Sequence, residues 1–598
     1  MNNNDSLRAF FGDVVRVNLT TGAITREELP LDAVQRFIGG RGLGAWYLYN
    51  EVGPDVDPLG PDNKLIFMNG PFVGTPLPAG NKVNLAFKSP LSLSYSYSLC
   101  GGHWGPELRF TGRTGLIIEG KSGAPVYLWI DDDRIELRPA AGLWGRTVPE
   151  TEKRLREELG GDELVQIACI GPAGEKLNRM ACITAGHYRE FGRGGCGAVM
   201  GSKNLKAVVV RGTGAVTVGD AVTFIADVLS LQNERVLTPD NAWTWEEGTP
   251  YLVELVNAAG ALPTRNWRTG QFGQAGAIQS SELLAVRTRI RACTQCPLAC
   301  RQVHVFDEEV CEGPEFETLG LCGANCGVGD LATIAAFNRS CDELGLDTIS
   351  TGAVVGLAMD LCEKGAADYG LAFGDVAGYL AAPGLIAHRE GWGAELALGA
   401  RDLAALRGRP DLAPHIQGLE LPAYDPRGSF GMGLGYATSD RGACHMRAFT
   451  AADDILGGEA PPDSLEGKPA LTVEQQDFSA AAWTGVWCAN LYIDTDFLGA
   501  HFRHLWGRET SHEELMALGA RIWNLGRLVN LREGFAREDD RLPVVLGVPH
   551  PDGAAAGRTV GDEEFQRALG EYYRLRGWDA DGVPTEETLT RLSLDVRS

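Results

Sequence analysis

One run near the middle of the chain constrains the rest: Arg291-Ala292-Cys293-Thr294-Gln295-Cys296-Pro297-Leu298-Ala299-Cys300, a CxxCxxxC. Three thiols this close pair poorly as disulfides in a reducing cell, but they converge readily on one inorganic centre that a remote cysteine completes. Cys488 is the candidate fourth ligand, so the fold must bring two widely separated stretches together. Four thiolates also suit tetrahedral zinc, whose sites usually read as two short CxxC-type pairs with a loop between them. A clustered triplet with a distant fourth is the commoner pattern for a [4Fe–4S] cluster, and zinc stays as the alternative. A cluster midway along a large chain implies a second redox centre for its electrons.

The 598 residues exceed one ordinary core and predict three or four units, and 44% hydrophobic with 22% charged residues is the balance of a globular protein. A net charge of −24 argues against nucleic-acid or anionic-membrane partners. No basic segment leading into an apolar one opens the chain, and no stretch offers about 18 uninterrupted apolar residues. The expectation is a soluble, cytoplasmic protein without a membrane span. Fourteen cysteines, several within apolar runs (Cys169, Cys341, Cys362), fit reduced buried thiols.

Strand-like alternation marks a hairpin over Asp13–Leu29 and runs at 64–68, 83–87, 115–119, 126–130, 164–170 and 206–210. Helices are predicted near 31–38 and over 147–159, where Thr147 and Glu150 form a capping box. From about Val218 the period becomes helical, clearest at 331–344, 351–363 and 511–531, the last opened by a second capping box, Ser511 and Glu514. The fold class is α+β: a sheet-rich domain over 1–212, then two mainly helical domains over 213–418 and 419–598, divided at the Pro- and Asp-rich 419–427.

Several runs carry possible chemistry. Gly192–Lys203 joins consecutive glycines to Arg193, which reads either as a phosphate cradle or as a tight turn; Gly39–Gly42 and Gly431, Gly433 and Gly435 read the same way. Asp342-Glu343-Leu344-Gly345-Leu346-Asp347 reads as a helix end, or as paired carboxylates accepting from the N–H groups of a heterocycle. Glu317 suits a general acid or base if burial raises its pKa, and His445 suits hydrogen bonding to a substrate oxygen; the plain reading of each is an ordinary polar residue.

In their order and spacing these stretches resemble the tungsten-dependent aldehyde:ferredoxin oxidoreductase family over nearly the whole chain. The similarity runs through 37–44, 170–175, 192–206, Cys293–Cys300, Gly313–Glu317, Asp342–Asp347, Leu421–Gly428 and Gly435–His445. The resemblance implies tungsten, or molybdenum, held by two pterin cofactors whose phosphates a magnesium ion can bridge, beside one [4Fe–4S] cluster. An aldehyde would be oxidised to its acid and the electrons would leave through the cluster to ferredoxin or a ferredoxin-like subunit. It further implies Cys293, Cys296, Cys300 and Cys488 as cluster ligands and Glu317 and His445 as catalytic residues. Lys82, Gly101, Arg193, Gly195, Asp342, Gly345, Leu346, Asp347 and Trp487 would then bind the cofactor, with the 1–212 domain as its base and the helical domains as its cover.

The chain departs from this pattern in places. The second pterin motif, of the form DxxGLC, reads Trp483-Thr484-Gly485-Val486-Trp487-Cys488, so Trp483 replaces its aspartate. Lys82 stands where Arg is common and Leu99 where Asn is common. Ala336 and Arg339 occupy a helix that in some members carries a dimer-bridging metal site, so an oligomer here would be held another way. Cys322 and Cys326 follow Glu317 and read as buried small residues or, as in the related ring-reducing benzoyl-CoA reductases, as a direct tungsten ligand.

Overall fold

The computed structural model describes residues 10–186, 189–458 and 461–594. Its first part is two six-stranded sheets packed face to face. One runs β2 (Ala23–Glu27), β1 (Asp13–Asn18), β6 (Arg113–Glu119), β3 (Leu65–Asn69), β4 (Val83–Lys88), β5 (Tyr95–Cys100). The other runs β11 (Arg189–Phe191), β10 (Ile183–Ala185), β9 (Gln166–Cys169), β12 (Leu205–Arg211), β7 (Val126–Asp131), β8 (Arg134–Pro139). Every residue of β3 is buried because its period-2 alternation divides one apolar run between two cores. Leu65 and Phe67 face the second sheet, while Ile66 and Met68 face the helices.

Helix α1 (Leu31–Phe37) and helix α2 (Gly40–Glu51) cover the outer face of the first sheet. The glycine run at 39–42 is therefore a helix start. A Cβ at Gly40 would lie 2.5 Å from the Trp483 carbonyl oxygen, so the 483–488 loop can sit directly on the helix start. Helix α3 (Val148–Glu158) has its Thr147–Glu150 capping box and packs through Leu155 on the second sheet.

The helical part contains an antiparallel sheet that its periodicity did not reveal: β13 (Arg287–Arg291), β14 (Arg301–Phe306) and β15 (Glu309–Glu312). Three arginines and a threonine in β13 conceal its alternation. The CxxCxxxC is the β13–β14 loop, and the chain leaves β15 straight into Gly313–Glu317. Helix α4 (Leu331–Leu344) ends on Gly345 at φ 74°, the left-handed cap that glycine adopts without strain. Asp347 then caps α5 (Thr348–Glu363), α6 (Phe430–Ala437) contains the 431–435 glycines, and α7 (Lys468–Ala482) runs into Trp483. Helix α8 (His512–Arg532) keeps the Ser511–Glu514 box and lays Leu515, Leu518, Ile522 and Leu525 against the first sheet's outer core. Among the described residues no single helix is long and apolar enough to cross a membrane.

Candidate active site and cluster rim

The β13–β14 loop meets the end of β5 and the 488–492 loop. Thr294 N–H donates to the Gly102 carbonyl at 3.2 Å, Cys488 N–H to the Ala79 carbonyl at 2.9 Å, and Asn490 Nδ2 to Cys300 Sγ at 3.4 Å. A Cβ at Gly101 would stand 2.9 Å from Cys293 Sγ, which is why glycine belongs there. Cys293, Cys296, Cys300 and Cys488 are each half-buried on this rim. Burial and the neighbouring Cys488 push the Cys296 thiol up to about 11 and the Cys300 thiol up to about 12. Burial opposes the charge on Lys82, but Cys488, Cys293 and Cys300 hold its pKa above the usual lysine value. Lys82 thus stands at the cysteines, with a hydrogen bond to Cys488. Among the described residues no three His, Cys, Asp or Glu side chains are close enough for a single ion. Four thiols converging from two stretches around a wider space, with a cation beside them, fit a cubane cluster better than one zinc.

Glu317 follows a one-turn helix start at Phe316, and His445 lies in the loop after α6. His445 Nδ1 is 3.5 Å from Glu317 Oε1, and neither atom has a hydrogen-bond partner among the described residues. The other carboxyl oxygen accepts from Ala423 N–H at 2.9 Å. Burial pushes the Glu317 pKa up to about 8. Burial, with Arg193, Arg441 and Arg447 nearby, holds His445 well below its ordinary value. The pair is therefore two neutral groups at neutral pH and not an ion pair. Both side chains keep about 15% exposure (15% and 14%), although the facing Nδ1 and Oε1 atoms are themselves buried. Tyr424 lies 5.9 Å from the imidazole and Phe449 6.4 Å, ring centre to ring centre, which makes one wall aromatic.

Beside this pair is a buried cationic pocket. Arg447 stacks on Tyr97 and Trp483 at 3.9 and 4.6 Å, and Arg41 on Tyr97 at 4.6 Å. Arg41 bonds Asp440 at 2.7 Å, Arg447 approaches the same carboxylate at 3.7 Å, and Arg441 donates to Cys444 Sγ at 3.1 Å. Burial would raise the Cys444 thiol, but Arg441, Arg447 and Arg193 bring it down to about 7. Arg41 Nε and Nη1, Arg441 Nε, Arg447 Nε and the Tyr97 hydroxyl are buried without a hydrogen-bond partner among the described residues. Each unpaired polar atom costs roughly 1–3 kcal/mol, and buried guanidiniums in excess over carboxylates call for an anion. The pocket fits a phosphate-bearing polar cofactor of the kind the resemblance implies. Sequence reading gave no role to Arg41, Arg441, Arg447 or Cys444, although the run Arg441-Gly442-Ala443-Cys444-His445 contains two of the four and Arg447 lies just beyond it.

The remaining predicted residues fall into place unevenly. Arg193 donates to the Ala443 and Glu420 carbonyls at 2.7 and 2.6 Å, tying the first domain to the His445 loop. Gly195, at φ 82°, opens the short helix Cys196–Ser202. The Asp347 carboxylate accepts from Ile349 N–H at 3.0 Å and the Ser350 hydroxyl at 2.7 Å, so helix capping occupies it. Asp342 accepts from Asn338 at 3.0 Å, burial and Glu190 hold its pKa well above the carboxylate range, and Leu346 bridges to Ala181. Trp483 and Trp487 are buried, Trp487 among Phe72, Phe497 and Phe502 at 5.6–5.7 Å. Trp483 therefore meets guanidiniums where the family motif has a carboxylate. Cys322 and Cys326 pack in the apolar core and donate to the Thr348 and Leu321 carbonyls at 3.3 and 3.4 Å, as buried small residues do.

Comparison with known proteins matches two family models: the N-terminal domain of aldehyde ferredoxin oxidoreductase over residues 14–212, and its domains 2 and 3 over 230–594. A tungsten-containing aldehyde ferredoxin oxidoreductase of Pyrococcus furiosus is 40% identical, covering 98% of this chain and 99% of the relative. The WOR-like subunit of an aliphatic sulfonate oxidoreductase from the same organism is 30% identical over 98% of this chain and 97% of its own. Among solved structures, the active-site complex BamBC of benzoyl coenzyme A reductase with 1,5-dienoyl-CoA superposes with a TM-score of 0.83 at 26% identity, covering 98% of this chain and 97% of that one.

Proposed function

The chain belongs to the aldehyde ferredoxin oxidoreductase family and is an oxidoreductase, and from that premise we propose that it oxidises an aldehyde to the carboxylic acid with water. The overall balance is aldehyde plus water giving acid, two protons and two electrons, the electrons leaving singly to ferredoxin or a ferredoxin-like protein. The observation that carries the proposal is the Glu317–His445 pair, whose buried Oε1 and Nδ1 atoms face each other at 3.5 Å without a hydrogen-bond partner among the described residues, close to the arginines of the cationic pocket.

Arg41, Arg441 and Arg447 would hold the phosphates and ring edge of a bis-pterin tungsten centre, and Cys293, Cys296, Cys300 and Cys488 the [4Fe–4S] cluster. When bound, these groups supply the two-electron oxidation and its division into single electrons. The chain's own residues do the rest. The neutral His445 ring has one N–H to give, and it orients the carbonyl oxygen of the aldehyde. Glu317, with a pKa near 8, takes the proton from water in its ionised form as water adds to the carbonyl; the desolvation that raised its pKa makes that carboxylate a stronger base and leaves it the minor form at neutral pH. Tyr424, Phe449 and Phe316, whose ring is tilted against Tyr424 at 4.9 Å, favour an aromatic or apolar aldehyde through their faces and edges.

The test uses protein purified without oxygen, with tungsten, pterin and iron measured first. Benzaldehyde and acetaldehyde are then offered with benzyl viologen as acceptor. Aldehyde-dependent dye reduction, more efficient with benzaldehyde, is expected. Tungsten-loaded protein inert to both aldehydes would overturn the reading.

A further inference from the structure

The resemblance gives Asp342 and Asp347 to the cofactor, and the fold brings a third carboxyl, Glu190, to the same turn between α4 and α5. Residues 180–182 are stitched to residues 345–347: Asp347 N–H donates to the Met180 carbonyl at 3.0 Å, Leu346 bridges to Ala181, and Cys182 N–H donates to the Gly345 carbonyl at 3.0 Å. Across the β10–β11 pair Glu190 stands opposite Thr184, whose hydroxyl donates to Glu190 Oε1 at 3.2 Å. Glu190 is thereby a neighbour of both aspartates: its charge acts on Asp342, and that of Asp347 acts on it.

The three carboxyls differ in what they have left to offer a ligand. Asp347 Oδ1 accepts from Ile349 N–H at 3.0 Å, and Oδ2 accepts from Ser350 N–H at 3.4 Å and the Ser350 hydroxyl at 2.7 Å. Arg193 Nε approaches the same Oδ2 at 3.5 Å, buried and without a hydrogen bond among the described residues. A carboxylate has about four acceptor sites, so Asp347 is nearly full. Asp342 accepts only from Asn338, at 3.0 Å, and no N–H among the described residues donates to Glu190. Arg301, whose charge reaches both, is itself shared by Glu312 at 2.9 Å and Glu315 at 3.2 Å.

Burial pushes Glu190 up to about 7 and, with the Glu190 charge, holds Asp342 well above the carboxylate range, so at neutral pH the two keep a proton between them. A carboxyl beside a carboxylate offers several acceptors and one O–H donor, the complement of an aminopyrimidinone edge whose N–H groups adjoin a ring acceptor. Arg41 and Arg447, around Trp483, offer only donors.

We propose that Glu190 is a cofactor-binding residue that, together with Asp342, receives the N–H edge of one pterin ring. The inference rests on the reading that a bis-pterin centre is bound. It adds to that reading a residue and an asymmetry: one ring edge meets acceptors here, and the other meets the donors of Arg41 and Arg447.

The test purifies the wild type, Glu190→Leu, Glu190→Ala and Glu190→Gln without oxygen. Pterin is measured by the fluorescence of its oxidised form, and tungsten and iron by elemental analysis. Glu190→Leu keeps the bulk of the side chain and Glu190→Ala cannot overfill the site; both remove every acceptor. In whichever of them keeps wild-type iron, and so a folded chain, half or more of the pterin and tungsten should be lost. Glu190→Gln keeps one acceptor oxygen and should hold most of the pterin, whereas a side chain that only packed would let Gln and Leu behave alike. Wild-type pterin in an iron-replete Glu190→Leu or Glu190→Ala protein overturns the inference and leaves the bis-pterin reading standing. A wild type with iron but no pterin overturns that reading and the inference with it.

Discussion

The cluster rim and the catalytic interior are both rich in arginine, and they use it in opposite ways. On the rim, Arg289 is exposed and without an ion pair among the described residues, and bulk salt screens it within about 8 Å. In the interior, Arg41, Arg441 and Arg447 are at most 6% exposed and share one carboxylate and one thiol, where the effective dielectric is low and no salt reaches them. The same difference separates the ionisable groups: the rim cysteines are half-exposed and next to small residues, while Glu317 and His445 are held neutral by burial. Position therefore predicts phenotype. Changes at the rim should alter partner affinity and salt response, and changes inside should alter the chemical step.

The largest effect that sharpens this division is loss of a proposed cluster ligand. Cys488→Ser removes the thiol that joins the distant stretch to the β13–β14 loop, and iron content should fall, with ferredoxin reduction lost and pterin content retained. If ferredoxin reduction survives with iron gone, electrons do not leave by this rim. Next is Glu317→Gln, which keeps the size of the side chain and its contact with Ala423 N–H but removes the base. Aldehyde oxidation should fall about 10²–10⁴-fold, the usual contribution of a general acid or base, with tungsten and iron unchanged. His445→Asn keeps one N–H donor and should cost less, on the order of 10-fold in kcat/KM, about the worth of one hydrogen bond. Equal losses from both substitutions would mean that the two residues act as one unit rather than in separate roles.

The same contrast explains what could be read from the sequence. The strands at 64–68 and 83–87 were legible as short, mostly apolar runs bounded by turn residues, and the helices at 147–159, 331–344 and 511–531 because one-sided burial imposes a period and caps announce the ends. The strands β5 and β13 were not. In β5, Tyr95 and Tyr97 alternate with serines that pack on the glycine loop near Gly194, so the usual apolar signal is absent. In β13 the arginines face solvent on an open edge. The meeting of Cys488 with the Cys293–Cys300 loop, and of His445 with Glu317, was anticipated through spacing and resemblance. The cationic pocket was not, because it is assembled from Arg41, Tyr97, Arg441, Arg447 and Trp483, which approach only through the packing of α2, β5 and the loops after α6 and α7. Its excess charge is a property of the assembled set and of no single run.

The smallest effect tests whether the interior charges tune the base. Burial places the Glu317 pKa near 8, and the carboxylate is the form that accepts a proton, so kcat/KM should rise with pH toward about 8 and level off above it. Glu317→Gln should flatten this limb. The Cys444 thiol, which its arginines hold at about 7, is largely a thiolate over the upper half of that limb, and its negative charge disfavours ionisation of Glu317. Cys444→Ser removes the charge and keeps a small polar group against Arg441. A base that loses a nearby anion ionises more easily, so the limb should move to lower pH, by less than about one unit if the two groups interact as weakly buried neighbours do, with the plateau rate within about twofold of the wild type. Arg193 is the cation that lowers the Glu317 pKa and Cys444 an anion that opposes it, and a limb that moves upward or not at all would show that the thiolate does not offset Arg193.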